Sequence, residues 1–476
     1  MDEKKRLLKN TGIIAIGNMS TKLVSFFLLP LYTSLMSKGE YGTVDYIVSI
    51  SIFLVPCISL LMDESMFRFL IDCKTDKERS RIISMSLIIV LVGCLVFFTV
   101  AVPILLLLKY QYALFVVLYV VTSVLSTMIS ALLRGIGRTD KYALYNFMVS
   151  SSTIVMNVIF IAVLHLNVKG MLMSTIIAHI IMPFIYIISL KLWRFIDFKS
   201  VSKDLAKEMI RYSCPLIPNK LSWTIINLSD RIIIKNMIGV DYSGLYAVAY
   251  KFPNLMDTVY GFFYQSWKES SARIMYDEDG KETFYNTTYY YLKNFLFAIT
   301  IGMIAFMPLA FAIFVKAEFK EAIVYVPILL IGTYFANISG FYGGIFTANK
   351  NTKIMGSSTV YAAVINLVVN LILIKPIGLY AAAISTFAAN FLVYLYRKAK
   401  VKQYVTLQED GKASASAIVI LAIVLTLFYM NNLTTISIGC VVATAYAVFI
   451  NRKLLVKLTG KMKKVQLRKR SENNDN

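Results

Sequence analysis

Six cations lie inside stretches of this 476-residue chain that are otherwise apolar: Lys22, Lys220, Arg231, Lys235, Lys251 and Lys293. A charged side chain at the centre of a bilayer costs about 2.5–3.5 kcal/mol on insertion scales. Such groups must pair, reach the interface, or face a wet cavity. Helical phase sorts them. Lys220, Thr224, Asn227 and Arg231 form one polar stripe, and Lys251, Asn254, Thr258 and Gln265 a second. Asn18, Lys22 and Ser25 form a third, and Asn146, Ser150, Thr153 and Asn157 a fourth. Arg231 and Lys235, four residues apart, share a side and cannot neutralise each other. Lys235 and Lys293 lie near the ends of their stretches and read as interfacial anchors. Stripes on several helices describe a hydrated lumen, and unpaired cations in a low-dielectric cleft focus their field on a ligand with two or more negative charges. A phosphate or pyrophosphate headgroup is such a ligand. The candidate lumen residues are therefore Lys22, Lys220, Arg231 and Lys251, with Asn18, Asn227 and Asn254. Arg231 should then be needed for function and dispensable for folding. Asp45, Asp230 and Asp257 are candidate counter-ions or carriers of a coupling proton, the counter-ion role being favoured. Asp230 and Arg231, adjacent on a helix, project about 100° apart and need not pair.

Other chemistry is poorly served. Cys57, Cys73, Cys94, Cys214 and Cys440 show neither a CxxC pair nor a metal-ligand spacing. His165 and His179 stand apart and read as structural, so no metal site is expected. No GxxxxGK[ST] run offers a phosphate loop, and the Arg134-Gly-Ile-Gly-Arg138 turn follows no strand. No catalytic residue is expected, and the protein reads as a non-enzyme. No cofactor is implied, and coupling to H+ or Na+ is left open.

The elements that must carry these stripes are membrane helices. The chain is 58% hydrophobic and only 16% charged, against about 25% charged in soluble domains. Apolar runs of roughly 20 residues fall near 11–36, 43–62, 82–108, 112–133, 142–164, 170–190, 212–238, 245–266, 285–315, 322–347, 357–374, 377–396, 415–430 and 436–451. The fold class is thus all-α and integral to a membrane, with about fourteen spans. Net charge is +22, and of the 49 cations the odd-numbered loops hold only Lys38, Lys109, Lys169, Lys316, Lys320 and Lys375. Most of the rest fall at the N-terminus, in the even-numbered loops and in the tail, so both termini are expected in the cytoplasm. The basic tail from Arg452 to Arg470 suits anionic headgroups rather than nucleic acid. All the external loops are short, which argues against an enzyme working on sugars at the outer face.

Weak internal symmetry divides the chain. Lys38-Gly-Glu-Tyr-Gly-Thr-Val-Asp45 joins spans one and two, and Gly239-Val-Asp-Tyr-Ser-Gly-Leu-Tyr246 joins spans seven and eight. Asn157, Gly170 and Ser174-Thr175 are echoed by Asn366 and Asn370, Gly378 and Ser385-Thr386. Such parallel repeats imply two pseudo-symmetric bundles with a pathway between them. The layout is a six-helix bundle over 1–190, an amphipathic cytoplasmic linker over 191–211, a second six-helix bundle over 212–397, a cytoplasmic loop over 398–414, two further helices over 415–451 and a basic tail over 452–476.

The ordered motifs carry a resemblance. Pro30-Leu-Tyr-Thr33 followed by Glu40-Tyr-Gly42 resembles the opening of the polysaccharide-biosynthesis flippases of the Wzx type. So do Asn227-Leu-Ser-Asp-Arg-Ile-Ile-Ile234, Gly244-Leu-Tyr-Ala-Val-Ala-Tyr-Lys-Phe-Pro253 and Phe262-Phe-Tyr-Gln-Ser-Trp267. The resemblance implies the multidrug/oligosaccharidyl-lipid/polysaccharide exporter superfamily, with a V-shaped pair of six-helix bundles and two extra C-terminal helices. It implies transport of undecaprenyl-pyrophosphate-linked oligosaccharide repeat units across the bacterial cytoplasmic membrane by alternating access, for capsule, exopolysaccharide or O-antigen synthesis. Lys22, Lys220, Arg231 and Lys251 would then meet the pyrophosphate, and Asp230 with Arg231 matches the family's Asp-Arg pair. Implied partners are the lipid-linked oligosaccharide, membrane lipids and the polysaccharide polymerase machinery. A peptidoglycan-precursor flippase, a drug exporter of the same superfamily and a membrane polymerase remain as alternatives. Unpaired lumen cations weigh against a cationic drug, and the short external loops against a polymerase.

Overall fold

The computed structural model describes residues 26–73, 75–197, 202–274, 280–349, 351, 353–409 and 411–474. Among them every regular element is helical: α1 (Leu29–Leu35), α2 (Lys38–Ser59), α3 (Met62–Asp72), α4 (Asp76–Leu107), α5 (Ala113–Gly135), α6 (Thr139–Asn157), α7 (Asn167–Ser189), α8 (Lys203–Ser213), α9 (Leu216–Met237), α10 (Val240–Ile274), α11 (Lys281–Phe314), α12 (Val326–Ala348), α13 (Lys353–Ile377), α14 (Tyr380–Val401), α15 (Gly411–Met430) and α16 (Leu433–Asn474). Ten of these stretches are long and apolar enough to cross a membrane, so the protein is a multi-pass membrane protein. Three more, α9, α10 and α14, have 22, 35 and 22 residues, which is spanning length, but carry more polar side chains. They include the helices of the two central polar stripes.

Local chemistry sets the helix starts. Ser37 and Thr75 each accept a hydrogen bond from the backbone N–H three residues on, and Glu40 and Glu78 return one, so α2 and α4 both open with a capping box. Outward faces stay apolar: Leu95 on α4 is 62% exposed and Ile372 on α13 is 65% exposed. In water such faces would be a liability, and in lipid they are the contact surface.

Two differences from the expected spans stand out. The run near 43–62 is not one helix: Leu60 and Leu61 adopt left-handed backbone at φ 50° and 51°, ending α2 and starting α3. Leu61 and Met62 are buried there, and packing holds the conformation that Leu otherwise avoids. The run near 142–164 changes to a π-turn over Val158–Val163 after α6.

Chain contacts divide the molecule into two compact units. The first holds 1–248, 315–319 and 367–382, and the second holds 249–314, 320–366 and 383–476. In the first, α9 runs along α2, and a core of Met62, Met66, Val90, Val124, Leu133 and Tyr145 lies among α3, α4, α5 and α6. The amphipathic segment between spans six and seven forms α8, with Ser202 capping its N-terminus. Its Met209 is fully buried, and Leu205, Ala206 and Ile210 pack on that same core. In the second unit α11 packs against α12, α15 and α16. Trp267 is 2% exposed there, stacked at 4.2 Å on Phe341, whose carbonyl accepts its Nε1–H at 2.9 Å.

Candidate functional site

The polar cluster of the first unit grows from the two repeated loop segments. Gly42 on α2 and Gly244 on α10 face each other. A Cβ on Gly42 would strike the Val240 carbonyl and the Gly244 nitrogen, and one on Gly244 would strike the Lys38 carbonyl and the Gly42 nitrogen. The contact is reciprocal, Lys38 standing to Gly42 as Val240 stands to Gly244. Only residues without a side chain allow backbones so close. The two segments matched in the sequence thus touch each other within one unit.

That approach brings α9 against α2. Arg231 Nε donates to Asp45 Oδ2 at 2.7 Å, and Arg231 is 7% exposed. One helical step away, Asp230 is 1% exposed. Its Oδ2 accepts from the Tyr246 hydroxyl at 2.9 Å and its Oδ1 from Asn370 Nδ2 at 2.8 Å. Adjacent residues on a helix point about 100° apart, so each serves a different neighbour. Beside the cluster, Tyr41 stacks on Tyr32 at 5.9 Å, and the Tyr32 hydroxyl accepts from Asn157 Nδ2 at 3.1 Å. One turn beyond Arg231, Lys235 Nζ sits 3.6 Å over the Tyr46 ring. The two like charges of α9 therefore dock on neighbouring residues of α2, one on a carboxylate and the other on an aromatic face.

The expected lumen set divides. Asn18 and Lys22 lie outside the described residues, as does the side chain of Asn227. Lys220 is exposed on α9, within electrostatic reach of Asp63. Lys251 is part-buried and Asn254 and Asp257 are exposed, all three on the part of α10 that belongs to the second unit. Arg231, Asp230 and Asp45 come together in the first unit, Asp45 as the counter-ion of Arg231. The picture of Arg231 as an unpaired lumen cation is corrected by this geometry, because the approach of α2 supplies a carboxylate that helical phase on α9 alone does not reveal.

Sequence reasoning missed Tyr246 and Asn370 as partners of Asp230. Their signal was present in the repeated loop and in the doubled asparagine of span eleven. It also missed Arg397, counted with the loop cations beyond span twelve. Arg397 is 1% exposed on α14, with Nε donating to Ser358 Oγ at 2.9 Å and a terminal nitrogen to the Ser339 carbonyl at 3.1 Å. No acid four residues before or after it marks it as held. Where α14 ends, Lys398 Nζ meets Glu409 Oε2 at 2.6 Å, and the Tyr289 hydroxyl donates to Glu409 Oε1 at 3.1 Å. Burial would push the Glu409 carboxyl up, but these donors and the charge of Lys293 hold it below the usual glutamate value. Among the described residues no cluster of His, Cys, Asp and Glu has the makings of a metal site.

Comparison with known proteins follows the same lines. A family model described as "Polysaccharide biosynthesis protein" matches residues 7–267. The chain is similar to an uncharacterized membrane protein of Methanocaldococcus jannaschii, 24% identical over 257 residues, covering 50% of this chain and 59% of that one. The chain thus spans somewhat over half the length of that relative. Among solved structures it is similar to the lipid II flippase MurJ in an inward closed conformation, with TM-score 0.69, 16% identity, and coverage of 93% and 99% of the two chains. It is also similar to an inward-facing multidrug resistance MATE family transporter of the MOP superfamily, with TM-score 0.68, 15% identity, and coverage of 82% and 98%. At such identities these likenesses speak for the fold.

Proposed function

The chain belongs to the polysaccharide biosynthesis protein family, and on that premise we propose that it flips lipid-linked oligosaccharide repeat units, carried on undecaprenyl pyrophosphate, from the inner to the outer leaflet of a bacterial cytoplasmic membrane. The observation that carries this reading is the coincidence of two matches: a polysaccharide family's sequence over residues 7–267 on a fold similar to that of the lipid II flippase MurJ. Transport proceeds by alternating access, with the polar head in a hydrated path and the polyprenyl chain in lipid. Lys220 and Lys251, both within polar stripes and neither fully buried, are assigned to the pyrophosphate, with Lys22 as the third cation of the set. Asn18, Asn227 and Asn254 are assigned to the sugar hydroxyls. Arg231 acts at one remove: paired with Asp45, it holds α9 against α2 and so sets the register of the stripe that carries Lys220. No bond is made or broken, so no catalytic residue is assigned, and the polymerase machinery that consumes the product is the natural partner. Both termini lie in the cytoplasm.

The test is the sidedness of the lipid-linked repeat unit in cells lacking the protein. Spheroplasts are treated with a membrane-impermeant sugar-oxidising reagent and their lipids read by mass spectrometry. Single repeat units protected on the cytoplasmic face support the flippase reading, and their mass identifies the cargo. Single units accumulating on the outer face overturn it. Protected units with the mass of a peptidoglycan precursor would assign the second reading, which the 93% coverage by the lipid II flippase fold keeps in view.

A further inference from the structure

An open groove of about 530 Å³ lies in the first unit, one helical turn from the Arg231–Asp45 pair, between α2, the end of α4, the start of α5 and the end of α9. Its walls are apolar, with Phe97, Ala101 and Ile104 of α4 facing Ile50 of α2. One end is polar. There Lys235 Nζ lies 3.6 Å over the Tyr46 ring and 5.5 Å from the Tyr110 ring centroid. Among the described residues no carboxylate stands within ion-pair distance of Lys235. The Tyr110 hydroxyl is buried and makes no hydrogen bond. A buried hydroxyl without a partner is a donor waiting for an acceptor, and a cation without a counter-charge at the mouth of an apolar trough calls for an anion that brings its own hydrocarbon.

We infer that this groove is a binding site for one anionic glycerophospholipid, its acyl chain lying along Phe97, Ala101 and Ile104 and its phosphodiester held by Lys235 and the Tyr110 hydroxyl. One cation and one neutral donor match the single negative charge of a phosphodiester, where a pyrophosphate would call for more. The polar end belongs to the helix termini joined by the odd-numbered loops, which the charge bias assigns to the outer face, so the lipid is one of the outer leaflet. The two aromatic rings add to the fit, because Lys235 held on the Tyr46 face is oriented before the lipid arrives. The proposal does not rest on the identity of the cargo.

The test uses the full-length protein, purified, delipidated in detergent and offered phosphatidylglycerol or phosphatidylcholine with matched acyl chains, with retained lipid counted by native mass spectrometry. Wild type is expected to retain one phosphatidylglycerol with about tenfold preference over phosphatidylcholine, the discrimination of one charge-assisted contact. Lys235→Met should lose that preference, and Tyr110→Phe should weaken it while leaving the groove intact. Ala101→Phe, which fills the trough without touching the polar end, should lose retention of both lipids. Each variant is accepted only if it melts within the wild-type range before lipid is added, and Tyr110→Phe, which removes a single oxygen atom, keeps the test open should a bulkier change fail to fold. Equal retention of the two lipids by wild type overturns the proposal, as does unchanged preference in Lys235→Met. Displacement of the bound lipid by equimolar polyprenyl phosphate also overturns it, by assigning the groove to the cargo carrier.

Discussion

Arg231 Nε on α9 donates to Asp45 Oδ2 on α2 at 2.7 Å across 186 residues of chain. The pair ties α9 to the end of the first repeated segment, and Asp230 alongside is turned away to Tyr246 and Asn370. Removing one partner of a buried pair costs about 3–5 kcal/mol, and the part-exposed carboxylate of Asp45 lowers that toward about 2 kcal/mol for this pair. Arg231→Ala is therefore expected to lower the melting temperature in detergent as well as impair transport. Asp45→Asn should do the same, and the double variant should be less destabilised than the sum of the two. Strict additivity in this double-mutant cycle would mean that the ion pair does not hold the helices together.

Asp230 reads as a structural carboxylate whose donors include Tyr246 and Asn370. Tyr246→Phe removes one of them and is expected to cost about 1.5–3 kcal/mol, the range for hydrogen bonds to charged groups. A chemical-denaturation curve of the variant that overlays the wild type would remove Asp230 from this role.

The glycine contact gives a test with an internal control. Gly42→Ala and Gly244→Ala each place a methyl group against backbone that cannot swing aside, and overpacking of this kind costs about 1–3 kcal/mol. A Cβ at Gly302, inside α11, meets nothing within 4 Å, so Gly302→Ala should be neutral or stabilise by up to about 1 kcal/mol through helix propensity. Thermal melts of the three variants in one detergent decide it, and equal melting temperatures for all three would refute the close backbone contact.

Arg397 locks α14 to α12 and α13 through the Ser339 carbonyl and the Ser358 hydroxyl. Arg397→Ala leaves a cavity and stranded acceptors, and a loss of about 2–4 kcal/mol is expected. Arg397→Met keeps most of the volume without the charge, and apolar replacement of a buried ionic group is often tolerated. The predicted order of melting temperatures is wild type, Met, Ala. Met falling to or below Ala would show that side-chain volume at this position does not hold the three helices together.

Glu409 predicts a pH effect on the connection that ends at α15. Its carboxyl sits below the ordinary value in the folded state, so it binds fewer protons folded than unfolded between the two values. Its contribution is complete above the ordinary glutamate value of about 4.3 and is lost as the pH falls through the lower folded value. Hydrogen exchange of residues 402–409 should rise over that acid window, and Glu409→Gln should show the faster exchange already at neutral pH. Exchange in this segment that ignores both pH and the substitution would exclude the Lys398–Glu409 bridge as its anchor.

Much of the fold was legible because insertion is a property of residues taken one at a time. Apolar runs and the clustering of cations in alternate loops depend on neighbours a few positions away. The same holds for α8, whose spacing over Lys203–Arg211 announced an amphipathic helix, found over Lys203–Ser213. Part of the site was legible too: the cationic face of α9 and the matched segments Lys38–Asp45 and Gly239–Tyr246 stand in the sequence as written.

Partnership was not legible. Helical phase put Arg231 and Lys235 on one side of α9 and left both without a counter-group, because the group that answers each is on another helix. Sequence alone determined that this chain spans a membrane many times and which side chains bear charge within apolar surroundings. Only the tertiary structure decided that Gly42 meets Gly244, that Arg231 finds Asp45 while Lys235 finds Tyr46, and that Arg397 is a buried clasp. The reason is physical: transfer into a bilayer sums over single residues along the chain, whereas an ion pair or a backbone contact is a property of two residues and exists only once the helices between them have packed.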